Sequence, residues 1–318
     1  MINLNKLAEK IKGETSVALF LHIRPDGDAI GSALALKGAL TKLGIKVDAY
    51  CDDTIPERFW YLKGATEIKN GEIEGEYSAL IAVDSAEINR LGKYAVLFNE
   101  FKNTYLIDHH ETNRGYSKND YVLGLSANCV NIFALINELN VEIDSDIANA
   151  LATGILTDTG NLKHKGVESS TIHTLATLVE KGADLNLINY KMFTAQSPAR
   201  AKLFGLTMQK IRYFKDGKIA IATVSQVNIS LSGAKQDETE GFIDFVMGIT
   251  GVEVGACLLE LENNKYKISL RGKSTNVAEI AEVFGGGGHI LASGCQIKGE
   301  HEEVIDKLVY ACKQHIKE

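Results

Sequence analysis

The chain has 318 residues, of which 45% are hydrophobic and 24% charged, and its formal net charge is −7. This composition is that of a globular protein with enough apolar side chains for two domains. The net acidity argues against long duplex nucleic acid as a partner, because duplex binding needs an extended basic surface. No apolar run is long enough to span a bilayer, and the amphipathic residues 1–13 lack the apolar core of a signal peptide.

Five cysteines are scattered along the chain, at positions 51, 129, 257, 295 and 312, and none belongs to a C-x-x-C pair. An odd, dispersed set predicts reduced thiols rather than a disulfide framework. We therefore expect a cytoplasmic protein without a membrane partner.

The first clear unit is a strand, a loop, a helix and a second strand. Residues 16–21 form a short apolar run typical of a buried parallel strand, residues 29–43 have a helical pattern that ends at Gly44, and residues 46–50 are the next strand. His22, Asp26 and Asp28 project from the loop between them. Loop polarity with an N-cap is one explanation, and ligation of adjacent cations is the other.

Two further apolar strands end in the same kind of residue. Residues 78–83 run into Asp84, and residues 105–107 run into Asp108, His109 and His110. In an open α/β sheet the carboxyl ends of the strands share one crevice, so these side chains should meet there. N-capping would have to be invoked three times and does not explain the histidines. Imidazole and carboxylate together suit manganese, zinc or iron, so the sequence favours a metal site.

Helices are predicted at about residues 129–139, 146–157 and 169–182. Asp158 follows the second of these, just before Gly160. A carboxylate at a helix C-terminus opposes the helix dipole, and a nearby cation would remove that penalty. Residues 185–212 read as a mixed, helical connector, and we place the domain boundary at 186–205.

The second half has a different pattern. Strands are predicted at 218–224, 253–261, 265–271 and 292–297, with Asn263 and Asn264 as a hairpin turn, and helices at 237–248, 276–284 and 302–315. Four glycines, 285–288, precede His289. Such a run serves either a tight turn or close approach of main-chain N–H groups to phosphate. Arg271 and His289 make the region rich in donors, which favours phosphate.

Taken together, these motifs resemble those of the DHH phosphoesterase superfamily. The resemblance rests on four segments in order across roughly residues 15–185, and on two in the second half that are similar to a DHH-associated domain: His22-x-x-Pro-Asp-Gly-Asp28, Asp84, Asp108-His-His110, Thr157-Asp-Thr-Gly160, Ser269-Leu-Arg271 and Gly285-Gly-Gly-Gly-His289. Within the superfamily, the length and the glycine run are similar to the compact bacterial nanoRNase and pAp-phosphatase branch, whereas RecJ-like exonucleases are longer.

The resemblance implies an α/β fold with three segments. These are a parallel-sheet DHH domain flanked by helices (residues 1–185), a helical linker (186–205), and a smaller α/β substrate-binding domain with a mixed sheet (206–318). It also implies that the active site lies in a cleft between the two domains.

The resemblance further implies two Mn²⁺ ions, although other divalent metals suit the same ligands. His22 and Asp26 would bind one ion, Asp28, His109 and Asp158 the other, and Asp84 would bridge them. Asp108 would orient the histidines, and His110 would face the scissile phosphate or the leaving group.

The implied substrate contacts lie in the second domain. They would be made by Arg271, Gly286, Gly287, Gly288 and His289, which would hold the far end of a nucleotide. One segment departs from the family pattern, because relatives carry a Ser/Thr-rich stretch and a Glu where this chain has Ser126 to Asn131. Relatives often have an aromatic residue after the last metal motif, where this chain has Leu162.

The expected activity is hydrolysis of short oligoribonucleotides, such as pApA, to mononucleotides and of pAp to AMP, through hydroxide activated by two metals. Short single-stranded RNA and nucleotide bisphosphates are the expected partners, and a homodimer is left open. Three alternatives remain: a pyrophosphatase or exopolyphosphatase, a RecJ-like single-strand exonuclease, and a degenerate nucleotide-binding protein. The glycine run and Arg271 argue against an inorganic substrate, which needs no platform for a base.

Overall fold

The computed structural model describes residues 1–262 and 264–316. It divides into two compact units, Met1–Ala195 and Gln196–Glu318. Both are α/β, the first with a parallel sheet and the second with a mixed sheet, so the predicted fold class is confirmed.

The first unit is built on a five-stranded, fully parallel sheet with the order β2-β1-β3-β4-β5. Its strands are β1 (Ser16–Phe20), β2 (Lys46–Tyr50), β3 (Ala79–Val83), β4 (Thr104–Asp108) and β5 (Asn119–Val122). The chain order reverses at β1 and β3, and ligands of such sheets bind beyond the carboxyl ends of the strands at this point.

Helices cover both faces of this sheet. They are α1 (Leu4–Lys12), α2 (Gly27–Lys42), α3 (Ala95–Glu100), α4 (Asn128–Glu138), α5 (Ser145–Asp158), α6 (Ser169–Glu180) and α7 (Leu185–Asn189). Short 3₁₀ turns lie at Glu57–Phe59, Ala65–Glu67 and Ile88–Tyr94, and a π-helical turn lies at Tyr190–Thr194.

Strand β1 shows why the early strands have no polar face. Val17 and Leu19 point into the larger core, beneath α2, α4 and α5, while Ala18 and Phe20 point into a smaller core with Tyr94 and Phe98. Since successive side chains of a strand alternate between faces, burial on both sides requires a continuous apolar run.

Strand β5 was not predicted. This strand lies at the edge of the sheet. Its sequence, Asn-Asp-Tyr-Val, is short and begins with polar residues, as an edge strand allows. Asn119 Nδ2 donates to the Thr104 carbonyl oxygen at 3.0 Å, and this contact substitutes for apolar packing.

The second unit contains a six-stranded mixed sheet with the order β10-β11-β9-β8-β7-β6. Only β7 and β8 are parallel to each other. The strands are β6 (Arg212–Phe214), β7 (Ile219–Val224), β8 (Val254–Leu261), β9 (Lys265–Gly272), β10 (Gly287–His289) and β11 (Ala292–Lys298). β8 and β9 pair as the predicted hairpin, although Asn263 in its turn lies outside the described residues.

The helices of this unit are α8 (Pro198–Met208), α9 (Gln226–Ser232), α10 (Phe242–Gly248), α11 (Val277–Glu282) and α12 (His301–His315). The single helix expected at 237–248 is wrong: a 3₁₀ turn at Gln236–Thr239 precedes α10, and Gly241 between them has a left-handed φ of 81°. The glycine run was expected to form a turn or a phosphate-binding loop, and its last two residues, with His289, form the short strand β10.

All five cysteines are buried and unpaired, which confirms the expectation of free thiols. Within residues 1–262 and 264–316, none of the helices is both long and apolar enough to cross a bilayer.

Candidate metal centre

The candidate site lies at the carboxyl edge of the parallel sheet. Strands β1, β3 and β4 end next to His22, Asp84 and Asp108, and the helix pair α2 and α5 closes one side. The structure brings together all the metal ligands proposed from the sequence, in three groups whose ligand atoms lie within 4.8 Å of one another. These groups are His22 with Asp26 and Asp84, Asp28 with His109 and Asp158, and Asp84 with His109 and His110.

Asp84 is the residue that links these groups. One oxygen, Oδ2, lies 3.7 Å from His22 Nε2, and the other, Oδ1, lies 3.3 Å from His109 Nε2. The carboxylate therefore spans the two groups in the way that a bridging ligand does. Its backbone has a left-handed φ of 52°, a conformation that Asp adopts more readily than most residues.

Helices α2 and α5 approach closely and bring Asp28 beside Asp158. The two helices run antiparallel, so the start of α2 lies at the end of α5. A side chain at Gly31 would collide with the Ala150 carbonyl oxygen, and one at Gly154 would overlap Cys129 Sγ and lie 2.8 Å from Asp28 Oδ1. Glycine at both positions is what permits the close approach.

Main-chain N–H groups hold Asp28. The Asn128 N–H donates to Asp28 Oδ2, and the Cys129 N–H donates to Asp28 Oδ1 at 2.9 Å. These amides begin α4, where the helix dipole also favours a negative charge. The segment of residues 126–131 thus supports this carboxylate through its backbone.

Asn131 is fully buried. Its Nδ2 donates to the carbonyl oxygens of Asp108, at 3.1 Å, and Leu123, at 3.0 Å. An ionised glutamate has no proton to donate, so it could not make these two bonds. In this chain the position supports the end of β4.

Hydrogen bonds orient the histidine rings. His22 Nδ1 lies 2.8 Å from the Ile23 carbonyl oxygen, and His109 Nδ1 lies 2.9 Å from that of Leu125. In His109, donation from Nδ1 leaves the Nε2 lone pair of the neutral ring directed at the carboxylates, as metal ligation requires. In His22, Nδ1 faces both the Ile23 carbonyl oxygen and the Arg90 guanidinium, and Nε2 faces the carboxylates. His110 differs, because its Nδ1 lies 2.9 Å from Asp108 Oδ1.

The charges of the site depend on one another. Burial lowers the pKa of His22, but Asp26 and Asp84 more than offset this and raise it to about 10. Burial also lowers the pKa of His109, which Asp84 and Asp28 raise to about 10. Without a metal, His22 and His109 would therefore be protonated, and these two rings would supply positive charge to the carboxylates.

The carboxylates respond in opposite directions. Burial, followed by repulsion from Asp84, raises the pKa of Asp28 well above its usual range. Burial also raises the pKa of Asp158, to about 6. At Asp84 burial acts in the same upward direction, but the neighbouring His109 and His22 imidazoles outweigh it and leave the Asp84 pKa lowered.

The donor set fits divalent cations. Asp84 Oδ1 is buried and has no hydrogen-bond partner among the residues that the structure describes. An orphaned buried carboxylate oxygen is costly unless a cation contacts it. Imidazole nitrogens and carboxylate oxygens in this proportion are ligands that manganese, zinc and iron accept.

The predicted substrate residues lie in the second unit, on its sheet. His289 of β10 is in register with Ala292 of β11, which is in register with Arg271 of β9. Paired residues of antiparallel strands point to the same face, so Arg271 and His289 flank the small side chain of Ala292, about 10 Å apart.

The glycine run has a packing role that the sequence left open. A side chain at Gly286 would collide with the Gly294 carbonyl oxygen, and one at Gly288 would lie 2.7 Å from Ser293 Cα. Both glycines let β10 lie close to β11. Gly287, by contrast, is exposed and faces open space.

Two residues at the site were missed by sequence reasoning. Arg90 Nη2 lies 3.0 Å from His22 Nδ1, and Asn113 Nδ2 lies 2.7 Å from Asp108 Oδ2. Asn113 comes three residues after His110, so its closeness to the motif was the only signal available. Nothing in the sequence pointed to Arg90, because it reaches the site from a 3₁₀ turn.

Comparison with known proteins follows the same division of the chain. Residues 16–155 match the model of the DHH family, N-terminal domain, and residues 216–318 match that of the DHHA1 domain. A bifunctional oligoribonuclease and PAP phosphatase NrnA from Thermus thermophilus is 28% identical over 98% of this chain and 93% of its own length. A protein of the same name from Bacillus subtilis is 22% identical over 94% and 96%.

One solved structure has the same fold. An exopolyphosphatase-related protein from Bacteroides fragilis superimposes with a TM-score of 0.86 over 98% of this chain and 95% of its own, at 22% sequence identity. At this identity the likeness concerns the fold alone.

Proposed function

The chain belongs to the DHH family, with a DHH N-terminal domain followed by a DHHA1 domain, and from that premise we propose a substrate class for it. The family consists of metal-dependent phosphoesterases, so the protein is a hydrolase acting on phosphoester bonds. Its proposed substrates are short oligoribonucleotides such as pApA, cleaved to mononucleotides, and pAp, hydrolysed to AMP.

The names of the relatives support this choice. The proteins from Thermus thermophilus and Streptococcus mutans are described as a bifunctional and a probable bifunctional oligoribonuclease and PAP phosphatase NrnA, respectively. Both align over more than 90% of each chain. Nearly the whole architecture is therefore shared, including both domains.

We propose that the site takes two Mn²⁺ ions. His22 and Asp26 would hold one, Asp28, His109 and Asp158 the other, and Asp84 both. Bound there, the cations would polarise a phosphate oxygen and lower the pKa of water, so that a nucleophile is available at neutral pH. The single observation that carries this proposal is the buried Asp84 carboxylate, which faces a different histidine with each oxygen.

The chain's own residues then orient the substrate and move a proton. Asp108 accepts from His110 Nδ1, so His110 Nε2 is the nitrogen left to meet a phosphate oxygen. His110 is the most exposed of these histidines, with 33% of its side chain accessible. In the protonated form it can donate to the departing oxygen and so stabilise the leaving group.

Recognition of the nucleotide is assigned to the second unit. Arg271 and His289 present donors on one face of the sheet, separated only by Ala292. Arginine binds phosphate through its planar fork of N–H groups. Gly287 has open space where a side chain would lie, which leaves room for a substrate to approach this strand.

Product analysis with four substrates tests the proposal. Purified protein with Mn²⁺ is incubated separately with pApA, pAp, a long single-stranded DNA and pyrophosphate, each with a chelator-treated control. AMP from pApA and pAp, with DNA and pyrophosphate intact, is the expected result. Hydrolysis of pyrophosphate alone would contradict it, and degradation of the DNA would assign the chain to the RecJ-like exonucleases instead.

A further inference from the structure

Asn113 occupies a buried position between the ends of two strands. It is 3% exposed, and its own N–H donates to the His110 carbonyl oxygen at 3.0 Å. Its side chain contacts Asp108, which precedes His109, and Ser85, which follows Asp84. Nδ2 donates to Asp108 Oδ2 at 2.7 Å and to the Ser85 carbonyl oxygen at 3.1 Å.

The orientation of this amide is fixed by its third contact. The Gly115 N–H donates to Asn113 Oδ1 at 2.8 Å. Because a main-chain N–H can only donate, the oxygen must be on that side and the two N–H donors on the other. A flipped amide would leave Asp108 and Ser85 each facing an acceptor.

On one side, Asn113 constrains Asp108. This carboxylate is fully buried, with His110 Nδ1 at Oδ1 and Asn113 Nδ2 at Oδ2. A carboxylate held at both oxygens cannot rotate, so the direction of the His110 ring is fixed as well.

On the other side, Asn113 holds the turn that carries Asp84. The Ser85 carbonyl oxygen accepts from Asn113 Nδ2 and also from the Tyr116 hydroxyl at 3.0 Å. The preceding residue, Asp84, has a left-handed φ of 52°, which costs energy in a residue other than glycine and persists only where the surroundings enforce it.

We propose that Asn113 is a positioning residue that fixes the spacing between the Asp84 carboxylate and the Asp108–His110 pair. One amide joins the end of β3 to the end of β4, so the bridging ligand and the proton donor move together. The inference rests on the proposed function for its substrate, but its effect on the metal ligand is independent of which phosphoester is cleaved.

The chain contains a matched control at the other end of β4. Asn103 Nδ2 also donates to one carboxylate, Glu14 Oε1 at 2.8 Å, and to one main-chain oxygen, that of Ser78 at 3.0 Å. Asn103→Ala therefore removes the same kind of bonds from the same strand, far from the metal ligands.

The experiment compares Asn113→Ala with Asn103→Ala in the full-length protein. Mn²⁺ affinity is measured from the paramagnetic resonance signal of free Mn²⁺, and kcat and KM are measured with pApA. We expect Asn113→Ala to weaken Mn²⁺ binding and lower kcat by about 10- to 100-fold each, with KM nearly unchanged, as loss of a group behind a metal ligand does. Asn103→Ala should leave all three close to the wild-type values.

The inference would be overturned if the two variants had the same Mn²⁺ affinity and kcat. It would also be overturned if a lower unfolding midpoint fully explained the lower Mn²⁺ affinity and kcat of Asn113→Ala. If the alanine variant does not fold, Asn113→Leu replaces it, because leucine keeps the approximate size of the side chain while removing both donors without adding a charge. If the wild type does not cleave pApA, the proposed substrate fails, but the Mn²⁺ titration still decides the role of Asn113.

Discussion

His109 Nε2 lies 3.3 Å from Asp84 Oδ1, an oxygen that has no hydrogen-bond partner in the part of the chain that the structure describes. The other oxygen of the same carboxylate faces His22 at 3.7 Å. Two histidines that follow different strands thus lie next to the same carboxylate. The reactivity of the site should depend on this carboxylate more than on any other.

Replacing Asp84 by Asn should stop turnover while the protein stays folded. Asn tolerates the left-handed φ of 52°, but its neutral amide cannot balance the charge of the two cations proposed for this site. We expect kcat to fall by about 1000-fold or more, measured with pApA and Mn²⁺ alongside circular dichroism. Asp48→Asn, which removes an acid paired with Lys69 in the same sheet, is the control and should keep its activity.

The metal-free protein should lose stability as pH rises from neutral to alkaline. The pKa values of His22 and His109 are raised from 6.5 to about 10 in the folded state, so the folded protein binds more protons than the unfolded chain over this interval. The free energy of unfolding then falls with pH, by at most about 1.4 kcal/mol per pH unit for each histidine.

This slope is measured by denaturant titrations of chelator-treated protein between roughly pH 7 and pH 9.5. That is the range in which the histidines are protonated in the folded state and neutral in the unfolded state. Mn²⁺ must displace the same protons, so its affinity should increase with pH, and calorimetry in two buffers of different ionisation enthalpy should show proton release. Stability that rises with pH in the metal-free protein would contradict the assignment of these histidines.

Gly154→Ala should destabilise the protein and weaken metal binding. The added methyl would overlap Cys129 Sγ and lie 2.8 Å from Asp28 Oδ1, in a core that cannot yield. We expect a loss of about 1–3 kcal/mol, typical of overpacking. Gly205→Ala is the matched control: Gly205 is an exposed helical glycine with open space around it, so the change should be neutral or stabilising by up to about 1 kcal/mol.

Arg271→Ala should raise KM for pAp with little change in Mn²⁺ affinity. The guanidinium is proposed to bind phosphate, whereas the metal ligands all belong to the first unit. We expect KM to rise by about tenfold or more, the cost of one lost charged hydrogen bond. Lys267→Ala is the control, because Lys267 lies four residues earlier on the same face of β9, and it should change KM much less. An equal change would show that only net charge matters.

The sequence predicted most of the residues that cluster at the candidate metal centre, because several of them follow strands. His22, Asp84 and Asp108 each stand directly after, or one residue beyond, a run of buried apolar residues, and parallel strand ends converge at one edge. Asp158 was harder to place, since it ends a helix. Its approach to Asp28 depends on the glycines of α2 and α5, whose tertiary role has no local signature.

The remaining differences come from contacts between distant residues. Strand β5 is held by Asn119 against the backbone of Thr104, so its polar sequence carries no strand pattern. The first amides of α4 bind the Asp28 carboxylate, which is 100 residues away in the sequence. The sequence at the start of a helix does not indicate which distant carboxylate its amides will bind. Gly241 divides the expected helix, because its left-handed conformation cannot continue one, and α10 begins only after it.

The Asp28 carboxylate accepts hydrogen bonds from the main-chain amides of Asn128 and Cys129. A main-chain amide survives every substitution except proline. Within the size limit set by the adjacent glycines, these positions can therefore change identity over evolutionary time without displacing the acid. Side chains next to the candidate site can therefore differ between related proteins while the carboxylate keeps its position.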